Sequence, residues 1–279
     1  MRIRNISAIV TALLFWSIAP FPALSQVTET QELSYPDLVD LVGRAPIVAV
    51  ATIDKAQRLK GELAGNVSPG QERFLITGSL NALLRGDQGL PARIEYLVDL
   101  PAQAAIRASK LRKTKVLLAA SKVPGKPASL RLFGPAAQLP WTPGLESRAR
   151  KILLDSVSPN APPRIVGVGN AFHVNGTLPG ESETQIFLKT ANDSPVSLNV
   201  LRRPGEETRW AVALGEMVDD SARPPARETL LWYQLACFLP PALPDTSVAN
   251  LNEEDALAAN NDYRFVIQAL GDCARSKRS

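Results

Sequence analysis

The chain is poor in the residue types on which most catalysis and metal binding depend. Its 279 residues include one histidine, His173, and two cysteines, Cys237 and Cys273. Structural zinc needs four ligands and catalytic zinc three, drawn mainly from Cys, His, Asp and Glu. One histidine and two cysteines that can pair with each other make a metal site unexpected, and no cofactor is implied. No G-x-S-x-G run is present, so a nucleophile elbow is excluded, and Gly180-Glu181-Ser182 reads as a polar turn. No nucleotide-binding glycine loop occurs either. Charge of one sign is missing too. The 31 Lys and Arg face 27 Asp and Glu. That balance is too even to indicate nucleic acid or a membrane surface as a partner. Beyond the N-terminus no apolar run approaches the roughly 20 residues that span a bilayer.

What is present begins with an export signal. Arg2 and Arg4 precede an apolar run over 6–18, Pro20 and Pro22 interrupt it, and Ala23-Leu24-Ser25 supplies small residues for a signal peptidase. Residues 1–25 are therefore expected to be removed after Ser25, giving a periplasmic or secreted protein. A retained N-terminal anchor is the alternative. Removal of 25 residues leaves 254, with 29 basic and 27 acidic side chains. No membrane span is expected in this mature chain. In an oxidising compartment Cys237 and Cys273 are expected to form one disulfide around a loop of 35 residues. Residues 26–34 are polar and read as a flexible lead-in.

The remainder reads as two α+β parts, 35–158 and 164–279, joined through Pro159-Asn160-Ala161-Pro162-Pro163. A short helix is expected over 35–42. Strands are expected over 47–53, 74–84, 92–99, 116–120 and 130–133, then a helix over 145–157. In the second strand Phe74, Ile76, Leu80, Ala82 and Leu84 share one side, and Gly78 permits a sharp bend. Five short strands with one bent at glycine predict an OB-like antiparallel barrel. The second part alternates with period two over 165–174, 184–190, 196–202 and 209–214, which predicts a four-stranded antiparallel sheet. Over 165–174 the alternation puts Val166, Val168, Phe172 and Val174 on one face. Gly167, Gly169, Ala171 and His173 lie on the other. Helices are expected over 227–239 and from Asn252 onward, the latter broken at Asn260-Asn261 and ended by Gly271. A simple helical hairpin would not bring Cys273 to Cys237. A doubled-back, disulfide-linked cap is expected, formed either by 240–252 carrying the chain back or by the break at Asn260-Asn261.

The segments PIVAVATIDKA, RFLITGSLNALLRG, PARIEYLVDLP, TKVLLAASKV and SLRLFG follow one another over residues 45–140. Their order resembles the netrin-type modules related to tissue inhibitors of metalloproteinases, which are OB-like five-stranded barrels. The LLRG ending of the second segment is similar to that family's "lkG" turn. The inhibitors chelate the protease metal with an N-terminal cysteine. This chain has no cysteine before Cys237, so the resemblance implies the barrel and not protease inhibition. The whole chain is also similar to exported proteins of Gram-negative bacteria, which implies a compartment and no activity.

Two places are candidate sites. His173 must carry any histidine-dependent chemistry and lies on a glycine-lined strand face that a ligand could approach; an ordinary hydrogen-bonded histidine is the alternative. Arg107, Lys110, Arg112, Lys113 and Lys115 crowd into nine residues. They could hold an anionic envelope component, or be a solvated loop. Arg85-Gly86-Asp87 reads as a turn. Asn66, Asn175 and Asn192 stand in sequons that matter only in a eukaryotic host. The expected function is non-catalytic binding or interaction, with an envelope protein or anionic envelope component as partner. The alternatives are an envelope hydrolase relying on His173 and a structural subunit of an envelope assembly.

Overall fold

The computed structural model describes residues 33–86, 89–102, 110–215 and 222–276. The expected leader and its cleavage point lie outside these, as do Asp87 and Arg107.

Helix α1 (Tyr35–Arg44) starts where the Ser34 hydroxyl accepts the Asp37 amide, and it buries Leu38 and Val42. The barrel follows: β1 (Ile47–Arg58), β2 (Gln71–Arg85), β3 (Arg93–Pro101), β4 (Lys115–Val123) and β5 (Lys126–Leu132). The strands run in the order β1-β2-β3-β5-β4, and β1 pairs with β4 to close the cylinder. All pairs are antiparallel except β3 with β5, which meet in parallel at Glu95–Ser129 and Tyr96–Leu130. A three-residue strand, β6 (Gln138–Pro140), extends the β4 edge beside β5. It was not anticipated, being short and ended by a proline.

Gly78 of β2 pairs with Ile53 of β1, where the register slips between Ile53 and Lys55. A Cβ there would lie 2.9 Å from the Thr52 carbonyl oxygen of β1, so any larger residue must push two paired backbones apart. Gly78→Ala should cost about 1–3 kcal/mol, read from the urea midpoint of unfolding. An unchanged midpoint would refute the close approach. The side alternation expected beyond Leu80 is corrected. The β1–β2 register slips between Val48 and Ala49 and between Val50 and Ala51, which leaves Asn81 and Leu84 as extra residues on β2. Each extra residue reverses which side follows. Leu83 therefore turns toward the barrel interior, which Leu80 faces as expected, and Leu84 packs on the outer side.

The two faces of β1 and β4 enter different cores. Ile47, Ala49 and Ala51 with Val116, Leu118 and Ala120 point into the barrel. Val48, Leu117 and Ala119 point out, into a second cluster. Helix α1, helix α2 (Pro143–Ser156) and the inner face of the second sheet build that cluster, together with the C-terminal helices.

The second sheet is a meander of β7 (Ile165–Asn175), β8 (Ser182–Thr190), β9 (Val196–Arg202) and β10 (Arg209–Ala213). Its inner face is covered by α3 (Leu230–Phe238), α4 (Asp245–Val248) and α5 (Glu253–Leu270). The first of these begins at Leu230 rather than Arg227 because the Thr229 side chain caps it. Helix α5 is unbroken, which corrects the expected interruption. Asn260 donates its amide to the Ala256 carbonyl one turn back, a bond that fits within the helix, and Asn261 accepts from Arg264. Burial of Ala259, Asp262, Tyr263, Val266 and Leu270 along one stripe overrides the weak local preference. Residues 239–252 thus carry the chain away and α5 returns it. Beyond Gly271 the tail brings Cys273 to Cys237, Cα to Cα 4.9 Å, in the disulfide that links the helical cap. Among the described residues no helix is long and apolar enough to cross a membrane.

All four tyrosines are withdrawn from water. Burial, with the nearby charges of Asp155 and Glu228, pushes the Tyr35 hydroxyl up to about 12. Burial and the hydrogen bond to Asp40 do the same for Tyr233, again to about 12. Burial raises Tyr96 and Tyr263 as well. The unfolded chain releases these protons near pH 10 and the folded chain keeps them. Stability from this source is therefore complete below pH 10 and is lost as pH rises through 12. A spectrophotometric titration should find no tyrosinate in the native protein at pH 10 and four in guanidinium. Native ionisation at pH 10 would contradict it.

Candidate functional site

The alternation of β7 is the starting point. The β7–β8 register slips between Ile165 and Gly167 and again between Val168 and Ala171. One expected position is therefore corrected: Val168 joins Ile165, Ala171 and His173 on the buried face, while Val166, Phe172 and Val174 stay together on the opposite, exposed face. His173 pairs with Thr184 across β7 and β8, and Ser182 pairs with Arg202 across β8 and β9. These residues occupy one end of the sheet's inner face, beneath α5.

That helix contributes Asp262, which is 1% exposed. The His173 Nδ1 lies 2.7 Å from Thr184 Oγ1. The Thr184 hydroxyl donates to Asp262 Oδ2 at 2.5 Å. The other carboxylate oxygen, Oδ1, accepts from Arg202 Nε at 2.7 Å and from its terminal nitrogen at 2.5 Å. Arg202 also donates to Thr208 Oγ1 at 3.1 Å. Four side chains from three strands and a helix thus form one connected chain of bonds.

The direction of each bond fixes the imidazole. An ionised carboxylate only accepts, so the Thr184 proton lies toward Asp262. Thr184 can then only accept from His173, and Nδ1 carries the ring proton. With Nδ1 protonated, the neutral form of the ring leaves its lone pair on Nε2. Nε2 makes no hydrogen bond among the described residues and is not an enclosed atom. His173 lines a cleft of about 360 Å³. That cleft is lined also by Asn175, Glu181, Ser182, Arg202, Asn261 and Asp262. Its size is in the range of small-ligand sites.

The chemistry available is acceptance of hydrogen bonds more than nucleophilic attack. Thr184 is wholly buried, and its oxygen lies between imidazole and carboxylate, out of reach of a substrate. Ser182 shares the cleft but makes no bond to His173. An activated hydroxyl requires a base within hydrogen-bond reach. Among the described residues no group of three or more His, Cys, Asp and Glu is placed to hold a metal ion.

The basic run stands apart from this cleft. Lys110, Arg112 and Lys113 are exposed in the connection leading into β4. The Lys113 amide donates to the Ile53 carbonyl, which pins that connection to β1. Lys115, the first residue of β4, holds its ammonium 4.7 Å from the centre of the Trp141 ring. Trp141 in turn donates to Glu146; this bond, the bond from Arg150 and the nearby Lys115 charge together hold the Glu146 carboxyl below its ordinary range. Lys115 thus has a partner within the fold, whereas Lys110, Arg112 and Lys113 face solvent.

Thr184, Arg202 and Asp262 were not anticipated. A signal for the last was present: Asp262 falls between Ala259 and Val266 in the apolar stripe of α5, where an acid needs a buried partner. No known protein family's sequence description matches this chain, and no curated protein matches it.

Proposed function

We propose that this is an exported, non-catalytic binding protein of the periplasm or cell exterior, and that its ligand seats in the cleft beside His173. The observation that carries this reading is the bond chain from His173 through Thr184 to Asp262. It fixes an acceptor at the cleft while leaving no serine, threonine or cysteine activated beside the ring. The order of the barrel strands supports taking residues 45–140 as a netrin-like module, and the disulfide fits an oxidising compartment.

The test uses protein recovered from the envelope of its native cell. The mature chain is expected to begin at Gln26 by mass, and to retain a ligand or partner that His173→Ala releases. The same preparation is expected to be inert toward ester, peptide and glycan substrates. Hydrolysis that disappears in His173→Ala or Ser182→Ala would replace binding with an envelope hydrolase, the reading that Ser182 in the same cleft would then carry.

A further inference from the structure

We infer that the cleft takes a protonated primary amine. This rests on the cleft being a binding site, and it follows from the sign of the groups left free there. His173 is 91% buried in the fold, 9% exposed, and its free atom is an acceptor. Glu181 is the second free acceptor. One carboxylate oxygen takes only a long bond from the Leu178 amide, 3.4 Å, and the other takes none among the described residues. Its side chain lies over Gly176, in space that a Cβ there would fill. Two carboxylates, Glu181 and Asp262, stand against one guanidinium, Arg202, which leaves the cleft with a net charge of −1 while the imidazole is neutral. Arg202 is tied to Asp262 and Thr208 and does not offer an unopposed charge to an anion. An ammonium brings three donors and a positive charge to such a set. Asn175, Ser182 and Asn261 can complete its surroundings.

The acceptor character of His173 is set at a distance by Asp262, which makes Asp262 a positioning residue. In Asp262→Asn the amide oxygen stays with Arg202, because an amide N–H cannot face a guanidinium. The amide N–H then faces Thr184, which must accept it and donate its own proton to His173 Nδ1. The ring proton moves to Nε2, and the cleft gains a donor where it had an acceptor.

Calorimetry on the full mature chain tests this with 1,5-diaminopentane, an N-acetylated lysine amide, 1,5-pentanediol and glutarate. Both amines are expected to bind at least about tenfold more tightly than the diol or the diacid. A preference for the lysine amide identifies a peptide side chain as the source, and a preference for the diamine a free polyamine. Glu181→Gln should weaken amine binding about tenfold. Asp262→Asn should abolish it and exchange the imidazole 15N signals from Nδ1–H to Nε2–H. Thr184→Ser should keep both binding and tautomer. Diol or glutarate binding as well as the amines overturns the amine while leaving a binding site in place. The same holds if 15N signals are unchanged in Asp262→Asn. Absence of any bound probe, together with an empty native preparation, overturns both.

Discussion

Cys237→Ser/Cys273→Ser should unfold at markedly lower urea than the oxidised protein, with a loss of about 3–4 kcal/mol. The bond closes a loop of 35 residues, and loop closure restricts the unfolded chain more than the folded one. It also pins the start of the C-terminal tail to α3. Beyond Cys273, Arg275 reaches Asp37 and Asp40 on α1, and the Ser276 amide donates to Asp37 at 2.6 Å. Ser34 and Ser276 exchange backbone-to-hydroxyl bonds at 2.9 and 3.3 Å. These contacts form at low entropic cost only while Cys273 is pinned nearby. Arg275→Ala should therefore destabilise the oxidised protein and have little further effect on the double serine variant. Equal losses in both backgrounds would show that the tail docks without the bond.

Asp262→Ala is expected to cost about 2–3 kcal/mol. The carboxylate is the acceptor for the wholly buried Thr184 hydroxyl and the counter-charge of Arg202. Its removal leaves the Arg202 cation without its partner and forces the Thr184 hydroxyl to turn to His173 Nδ1, the acceptor that remains. Arg202 is 39% exposed, so water moderates the second effect. The loss belongs below the full cost of breaking an enclosed ion pair. Thr184→Val in the Asp262→Ala background should then cost less than in the native protein, since its bond to the carboxylate is already gone. Urea unfolding of the single and double variants checks both statements. Additive losses would mean that the two side chains are not coupled.

The alternation of apolar residues made most elements legible, including the barrel and the sheet. It failed where a strand carries an extra residue, because period-two reading assumes an unbroken ladder. That is why Leu84 left the side of Phe74 and Ile76 on β2, and why Val168 left the side of Phe172 and Val174 on β7. Asn260 and Asn261 misled for another reason. Their preference for turns is local, and five buried side chains on α5 outweigh it. His173 was found because it is the single histidine. Its partners were hidden because Thr184, Arg202 and Asp262 lie 11, 29 and 89 residues away and meet only through strand pairing and helix docking.

Strands β1 and β4 have no solvent side at their centres. Val48 and Leu117 serve one core while Ile47, Ala49 and Leu118 serve the other. Melting the barrel would strip the helices and second sheet of a wall, and melting the latter would wet the barrel's back. Neither half has a low-lying route to open alone, so heat should drive a single cooperative transition, with calorimetric and van't Hoff enthalpies in agreement.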